Sequence, residues 1–267
     1  MAVQLNDRDN LIFKLIDEHE VLLEKHISWF IAEENKPVLI RDRLRKLFYL
    51  DYLLCHRHAT KLPWWTTPTK PLVYMLAPIS RSIVGIELDD VDRFDADWQR
   101  HHLEVANLRM LYTIAQTEGR ISKFEWATIK GEAREKSGLD ARISFESNGI
   151  AYDIGVANNP GRDEASLARL EESLKQDGVE MLLIVARDDE EKQAIQDAIM
   201  KRTGSALAKS CFFSTHQELY NDGVVDAEWE NTESRKLHLF PVAGKAAVEQ
   251  PVFSDAFVPG QVRAASA

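Results

Sequence analysis

The hydrophobic pattern of this 267-residue chain predicts an α+β protein in two parts: an N-terminal winged helix-turn-helix, then an α/β domain on a mixed sheet. Three observations carry the prediction. Three short helical periods precede two strand-like runs in the first 76 residues. The third helical period is crowded with Arg and Lys, although the net charge of the chain is -10. From about residue 97 the pattern becomes helix, strand, strand, helix, strand, helix, strand.

Asn6 is a predicted N-cap, with Asp9 adding an acidic first turn. Leu11, Ile12, Leu15 and Ile16 then recur at helical spacing, and His19-Glu20 breaks the pattern. A second helix is predicted over 23–33, with Ile27, Phe30 and Ile31 inward. Pro37 suits the start of a third, where its missing N–H is not needed. On that helix Ile40, Leu44, Leu47 and Phe48 fall on one side at about 100° per residue. Asp42, Arg45, Lys46 and Tyr49 fall on the other, with Arg41 and Arg43 on the flanks. A recognition helix needs this division: an apolar side against its own domain, and cations toward phosphates and base edges. An ordinary amphipathic helix with a solvated basic face has the same pattern.

Strands are expected at 52–58 and 71–76, joined by the turn-rich Leu62-Pro63-Trp64-Trp65-Thr66-Thr67-Pro68. A wing of this kind brings His56, Arg57, His58 and Lys61 to a nucleic-acid backbone, while Trp64 and Trp65 pack on the domain. Cys55, His56 and His58 alternate across the strand, so they do not converge on one metal ion. The DNA-binding candidates are therefore Arg41, Arg43, Arg45, Lys46, Tyr49, Arg57 and Lys61.

Residues 90–97 read as a charged connector, and a long helix follows over 97–117. Adjacent His101 and His102 on a helix suit packing or polar contacts rather than a metal. Strands at 141–146 and 150–157 flank Asn148-Gly149, a strong hairpin signal, with room for another strand near 123–128. Asp163 caps a helix over 165–176, the apolar run 179–186 suits a buried central strand, and Asp188 caps a helix ended by Gly204. Cys211-Phe212-Phe213 is a further short strand. The predicted domains are 1–88 and 97–242, with a tail over 243–267.

Composition narrows the function classes. With 45% hydrophobic residues the chain has enough apolar surface for a core, which argues against disorder. Residues 1–86 hold 12 Lys and Arg against 10 Asp and Glu, and the remainder 21 against 33, so contact with a polyanion is expected to be local to the N-terminal third. Two cysteines make no disulfide framework, and no apolar run reaches the roughly 18 residues of a membrane span. No basic-then-apolar leader opens the chain, so a cytoplasmic protein without membrane contact is expected. The sequence has no Gly-rich phosphate loop, nucleophile elbow or zinc-spaced Cys/His set.

Leu5-Asn6-Asp7-Arg8-Asp9, Arg43-Leu44-Arg45-Lys46-Leu47, the run 71–76, His101-His102-Leu103-Glu104-Val105 and Leu139-Asp140 together resemble the bacterial replication-relaxation family of plasmids and other mobile elements. The resemblance covers residues 5–187. It implies a winged-helix DNA-binding domain and a second domain of restriction-endonuclease-like fold, in proteins associated with plasmid replication or transfer. That second fold carries nuclease chemistry when one strand supplies an acid and the next an acid and a lysine one residue apart, holding Mg²⁺ and activating water. Asp140 matches the first acid and Asp153 the second, but the lysine position is Gly155. Lys175 is a possible migrated lysine and Glu146 a further carboxylate. The expectation is a vestigial site with no cofactor, Mg²⁺ entering only if the site is active. The implied protein binds double-stranded DNA as a homodimer, its second domain dimerising or recruiting a replication or transfer protein. Two alternatives stand beside it: a Mg²⁺-dependent nuclease using Asp140 and Asp153, and a protein–protein adaptor with no DNA contact.

Overall fold

A computed structural model describes residues 5–32, 37–85, 92–176, 178–202 and 205–240. The predicted tail, the helix-ending Gly204 and the start of the predicted connector lie outside them. The chain divides into two compact units, Met1–Ile114 and Ala115–Ala267. Among the described residues no helix is long and apolar enough to cross a membrane.

In the first unit, α1 (Asp7–His19) opens with a reciprocal cap: Asn6 accepts from the Asp9 N–H at 3.1 Å, and the Asp9 carboxylate accepts from the Asn6 N–H at 2.9 Å. It ends at Glu20, whose φ of 63° breaks the helix where the pattern breaks. Ile12, Leu15 and Ile16 are buried as expected, but Leu11 is 42% exposed and Phe13 fills the core instead. The apolar stripe drifts across Phe13 because 3.6 residues per turn carry it past Leu11.

The start of the predicted second helix is a short strand. Leu22 and Leu23 form β1 (Leu22–Leu23), and α2 (Glu24–Ala32) follows. In α3 (Pro37–Tyr49), Ile40, Leu44 and Leu47 are buried, whereas Phe48 is 40% exposed and lies beside Tyr49 at 5.7 Å between ring centroids. The buried stripe is thus one residue narrower than expected. β2 (Leu53–Arg57) and β3 (Leu72–Leu76) pair antiparallel, and the sheet order is β1-β3-β2.

A helix absent from the sequence prediction, α4 (Pro78–Val84), starts on Pro78 and closes on Gly85, whose φ of 76° suits a residue without Cβ. The long helix α5 (Ala96–Thr117) falls mainly in the first unit, which corrects the predicted boundary between 88 and 97. Ala106 belongs to the core formed by Ile12, Ile16, Ile27, Leu44, Leu47 and Tyr74. Burial runs around α5 from Leu103 to Leu108 and again from Met110 to Tyr112, so it is a central helix rather than one with a single apolar stripe.

The second unit is a mixed α/β layer with a seven-stranded sheet. Its elements are β4 (Ser122–Thr128), α6 (Gly131–Ser137), β5 (Ala141–Ser147), β6 (Ile150–Asn158), α7 (Glu164–Gln176), β7 (Met181–Ala186), α8 (Asp189–Met200), α9 (Leu207–Ser210), β8 (Cys211–Thr215), α10 (His216–Asp222), β9 (Trp229–Glu230) and β10 (Lys236–Leu237). The order is β10-β9-β8-β7-β6-β5-β4, with β6, β7 and β8 parallel and the other pairs antiparallel. Asn148 and Gly149 take φ of 49° and 79°, which makes the tight turn between β5 and β6. Asp163 and Asp188 cap α7 and α8 as their positions predict. The continuous apolar strand β7 is buried along its whole length.

Candidate functional site

Two regions bear on function: the outer side of α3 with the β2–β3 loop, and the strands around Asp140 and Asp153.

Core packing of Ile40, Leu44 and Leu47 turns the other side of α3 to solvent. There the cations differ in what they are free to do. Arg43 is paired through both nitrogens of one edge with Asp9, which has no exposed surface, so it braces α3 to the cap of α1. Arg41 makes two bonds, 3.0 and 2.9 Å, to Glu24 on α2, yet keeps 61% of its side chain exposed. Arg45 reaches Asp42 at 2.8 Å one turn back, both groups more than 60% exposed. Lys46 is exposed, and Tyr49 is 75% exposed. Asn6, Asp7, Arg8, Leu39, Asp42, Arg43 and Lys46 line one open depression of ≈ 670 Å³. Arg8 is thus a neighbour of the α3 surface that no spacing in the sequence singles out. Val38 and Leu39, 66% and 62% exposed, form the leading turn of the same helix.

The loop between β2 and β3 is anchored by buried Leu62 and Trp64. Arg57 is exposed at the end of β2 and donates to the Lys70 carbonyl at 2.8 Å, and Lys61 is exposed within the loop. The two histidines expected on this wing turn inward. His58 is buried, hydrogen-bonded with Gln99 at 3.2 Å and Thr60 at 2.7 Å, and burial pushes its pKa below the ordinary value. His56 also meets Gln99, through Nε2 at 3.1 Å, and its Nδ1 is buried without a hydrogen-bond partner. Both rings thus turn toward Gln99 rather than outward from the loop. His102 lies against Trp98 with the rings tilted at 53° and their centroids 4.3 Å apart.

In the second unit, Asp140 lies just before β5 and donates its N–H to the Val156 carbonyl at 2.8 Å, while Asp153 on β6 pairs Ser144. The face of β6 that carries Asp153 and Gly155 is packed by Leu139 rather than Asp140: the Leu139 methyls would meet a Cβ at Gly155 at 3.2 and 3.3 Å.

Each acid has other partners. Asp140, 2% exposed, accepts from Arg134 Nε at 2.5 Å and from the Asn158 N–H at 2.7 Å. Asn158 in turn meets buried His216 at 2.7 Å. Asp153 makes a two-bond pair with Arg142, both at 2.7 Å. Glu146 pairs with Lys123 at 2.6 Å and Lys175 with Glu171 at 3.6 Å. A Cβ at Gly155 would stand 2.6 Å from Leu182 Cδ2 and 3.2 Å from a Leu139 methyl, so close packing explains why no side chain occupies the lysine position. Among the described residues no group of three or more His, Cys, Asp and Glu could hold a metal ion.

Arg134, Arg142, Asn158 and His216 are partners that the sequence prediction does not include. The register of Arg142 against β6 is available from the Asn148-Gly149 turn, whereas Arg134 and His216 come from elements whose approach no local pattern reveals.

No family model matches the sequence, and no curated protein matches it. Among solved structures, the restriction endonuclease FokI aligns at a TM-score of 0.27 and 9% identity, over 83% of this chain and 46% of that one. The chain thus spans less than half the length of that structure, and a likeness at this TM-score carries no argument about the site.

Proposed function

We propose that the protein binds double-stranded DNA through its first unit, which we read as a winged helix with α3 in the major groove and the β2–β3 loop as its wing. One observation carries the reading. On α3 the row Asp42, Arg45, Lys46 and Tyr49 is solvent-facing, opposite the buried Ile40, Leu44 and Leu47. The element order α1-β1-α2-α3-β2-β3 around a three-stranded antiparallel sheet supports it. Arg41, Arg45, Lys46, Tyr49, Arg57 and Lys61 are the proposed contacts, and Arg43 is reassigned to bracing.

The second unit we read as a restriction-endonuclease-like scaffold without nuclease chemistry, serving dimerisation or recruitment of a replication or transfer protein on a mobile element. The arginine partners of Asp140 and Asp153 support this reading. A second reading, a protein adaptor, is favoured by the carboxylate partners already on Arg41, Arg43 and Arg45.

A mobility-shift titration of the full chain against duplex DNA flanking its own gene, with and without Mg²⁺, tests the proposal. The expected result is a discrete shift with intact DNA. Cleavage on adding Mg²⁺ would contradict the scaffold reading, and no shift even at low salt would favour the adaptor.

A further inference from the structure

The leading turn of α3 carries no guanidinium of its own, and the next two arginines are paired, Arg43 with buried Asp9 and Arg41, still 61% exposed, with Glu24. What it offers instead is Val38 and Leu39, adjacent aliphatics 66% and 62% exposed, outside the core that holds Ile40. Side by side they make a small apolar patch rimmed by charged groups. They precede Arg45 and Lys46 on the same helix by about two turns, with Leu39, Asp42 and Lys46 lining one depression. A protein partner would suit the aliphatics alone. Exposed cations beside them suit a surface that is anionic with apolar groups set into it.

In the major groove the exposed apolar group is the C5-methyl of thymine. Residues at the start of a recognition helix are those that reach base edges. We infer that Val38 and Leu39 read thymine methyl groups, so that the preferred duplex carries thymine where the first turn of α3 enters the groove. This rests on the winged-helix reading above. Asp42 one turn on and Arg45 two turns on face the neighbouring base pairs or phosphates, and Lys46 faces phosphate.

The experiment uses the full chain. Duplexes are selected from a randomised pool at low salt, and affinity is then measured on the selected duplex with each thymine replaced in turn by uracil, which lacks only the methyl. Wild-type protein is expected to lose roughly threefold to fivefold in affinity per methyl removed at the read positions, the factor that burial of one methyl-sized group represents. In Val38→Ala/Leu39→Ala, thymine and uracil duplexes are expected to bind alike. Both residues are exposed, and circular dichroism checks that the variant folds.

Equal binding of thymine and uracil duplexes by the wild type overturns the inference and leaves DNA binding standing. A thymine preference kept in full by the double variant overturns it too, because the methyl is then read elsewhere. Failure to enrich any duplex overturns the inference together with the winged-helix reading.

Discussion

Asp9 has no exposed surface, and Arg43 supplies its opposite charge while its backbone sits in the cap of α1. Removing the guanidinium leaves a carboxylate buried without its counter-ion. Arg43→Ala is therefore expected to destabilise the protein by about 3 kcal/mol, read from urea unfolding. Arg45→Ala removes only an exposed pair with Asp42, so its change is expected to stay within about 0.5 kcal/mol. Equal costs for the two would contradict the division of labour on α3. His26 gives a second test at this scale. Burial lowers its pKa from 6.5 to about 3, and the Leu23 N–H approaches its Nδ1 at 3.4 Å. The folded state holds the ring neutral while the unfolded chain takes up a proton near 6.5. The stability is thus complete above about pH 6.5 and falls as pH drops toward 3. His26→Asn keeps an acceptor without a titrating group, and its thermal midpoint should change less between pH 7 and pH 4.5 than that of the wild type.

At the scale of elements, Gly155 decides whether the sheet face of β6 could recover the nuclease pattern. Any Cβ there meets Leu182 and Leu139. Gly155→Ala is expected to cost about 1–3 kcal/mol through overpacking, and Gly155→Lys more. Neither should give Mg²⁺-dependent cleavage, because Asp140 and Asp153 stay paired with Arg134 and Arg142. Cleavage by Gly155→Lys would contradict the scaffold reading.

The same elements show what is legible in the sequence. Caps at Asn6, Asp163 and Asp188, the Asn148-Gly149 turn and the apolar run of β7 are local signals, and each element they mark is present. β1, β9 and β10 are two residues each, too short to show a period. α10 has a readable cap, Thr215 with Glu218, that the prediction leaves unused. The two-residue turn at 148–149 fixes the pairs on β5 and β6, so Arg142 beside Asp153 is within reach of the sequence. Asp140 precedes β5, and its partner Arg134 comes from α6, which that register does not place.

Over the whole molecule, the positive balance is confined to the first 86 residues while the remainder is acidic. An acidic second unit repels a polyanion, so DNA affinity has to come from a few local contacts and should fall with salt by a slope of roughly 0.9 for each of them. The partners of α3 sharpen that expectation. With Arg43 held by Asp9, the helix has Arg41, Arg45 and Lys46 for phosphates, and Asp42 opposes them. Asp42→Asn removes the opposing charge and releases Arg45, so its affinity is expected to rise at low salt, measured by fluorescence anisotropy. An unchanged or weaker affinity would mean that Asp42 itself contacts a base.

The extent of the first unit is not legible in the sequence. A strand-rich pattern follows α5 and places it with the second domain, but the core around Ala106 and the bonds of Gln99 to His56 and His58 tie it to the first. Those histidines lie 43 and 41 residues away in sequence, beyond any local pattern.

The most direct test of DNA binding through α3 is the salt dependence of affinity for wild type and Arg45→Ala/Lys46→Ala on one duplex. Every phosphate that the protein no longer neutralises should lower the slope of log K against log salt by roughly 0.9. The account expects a slope smaller by one or two such steps in a variant that folds normally by circular dichroism. A slope identical to the wild type would contradict it, because α3 would then not face the DNA.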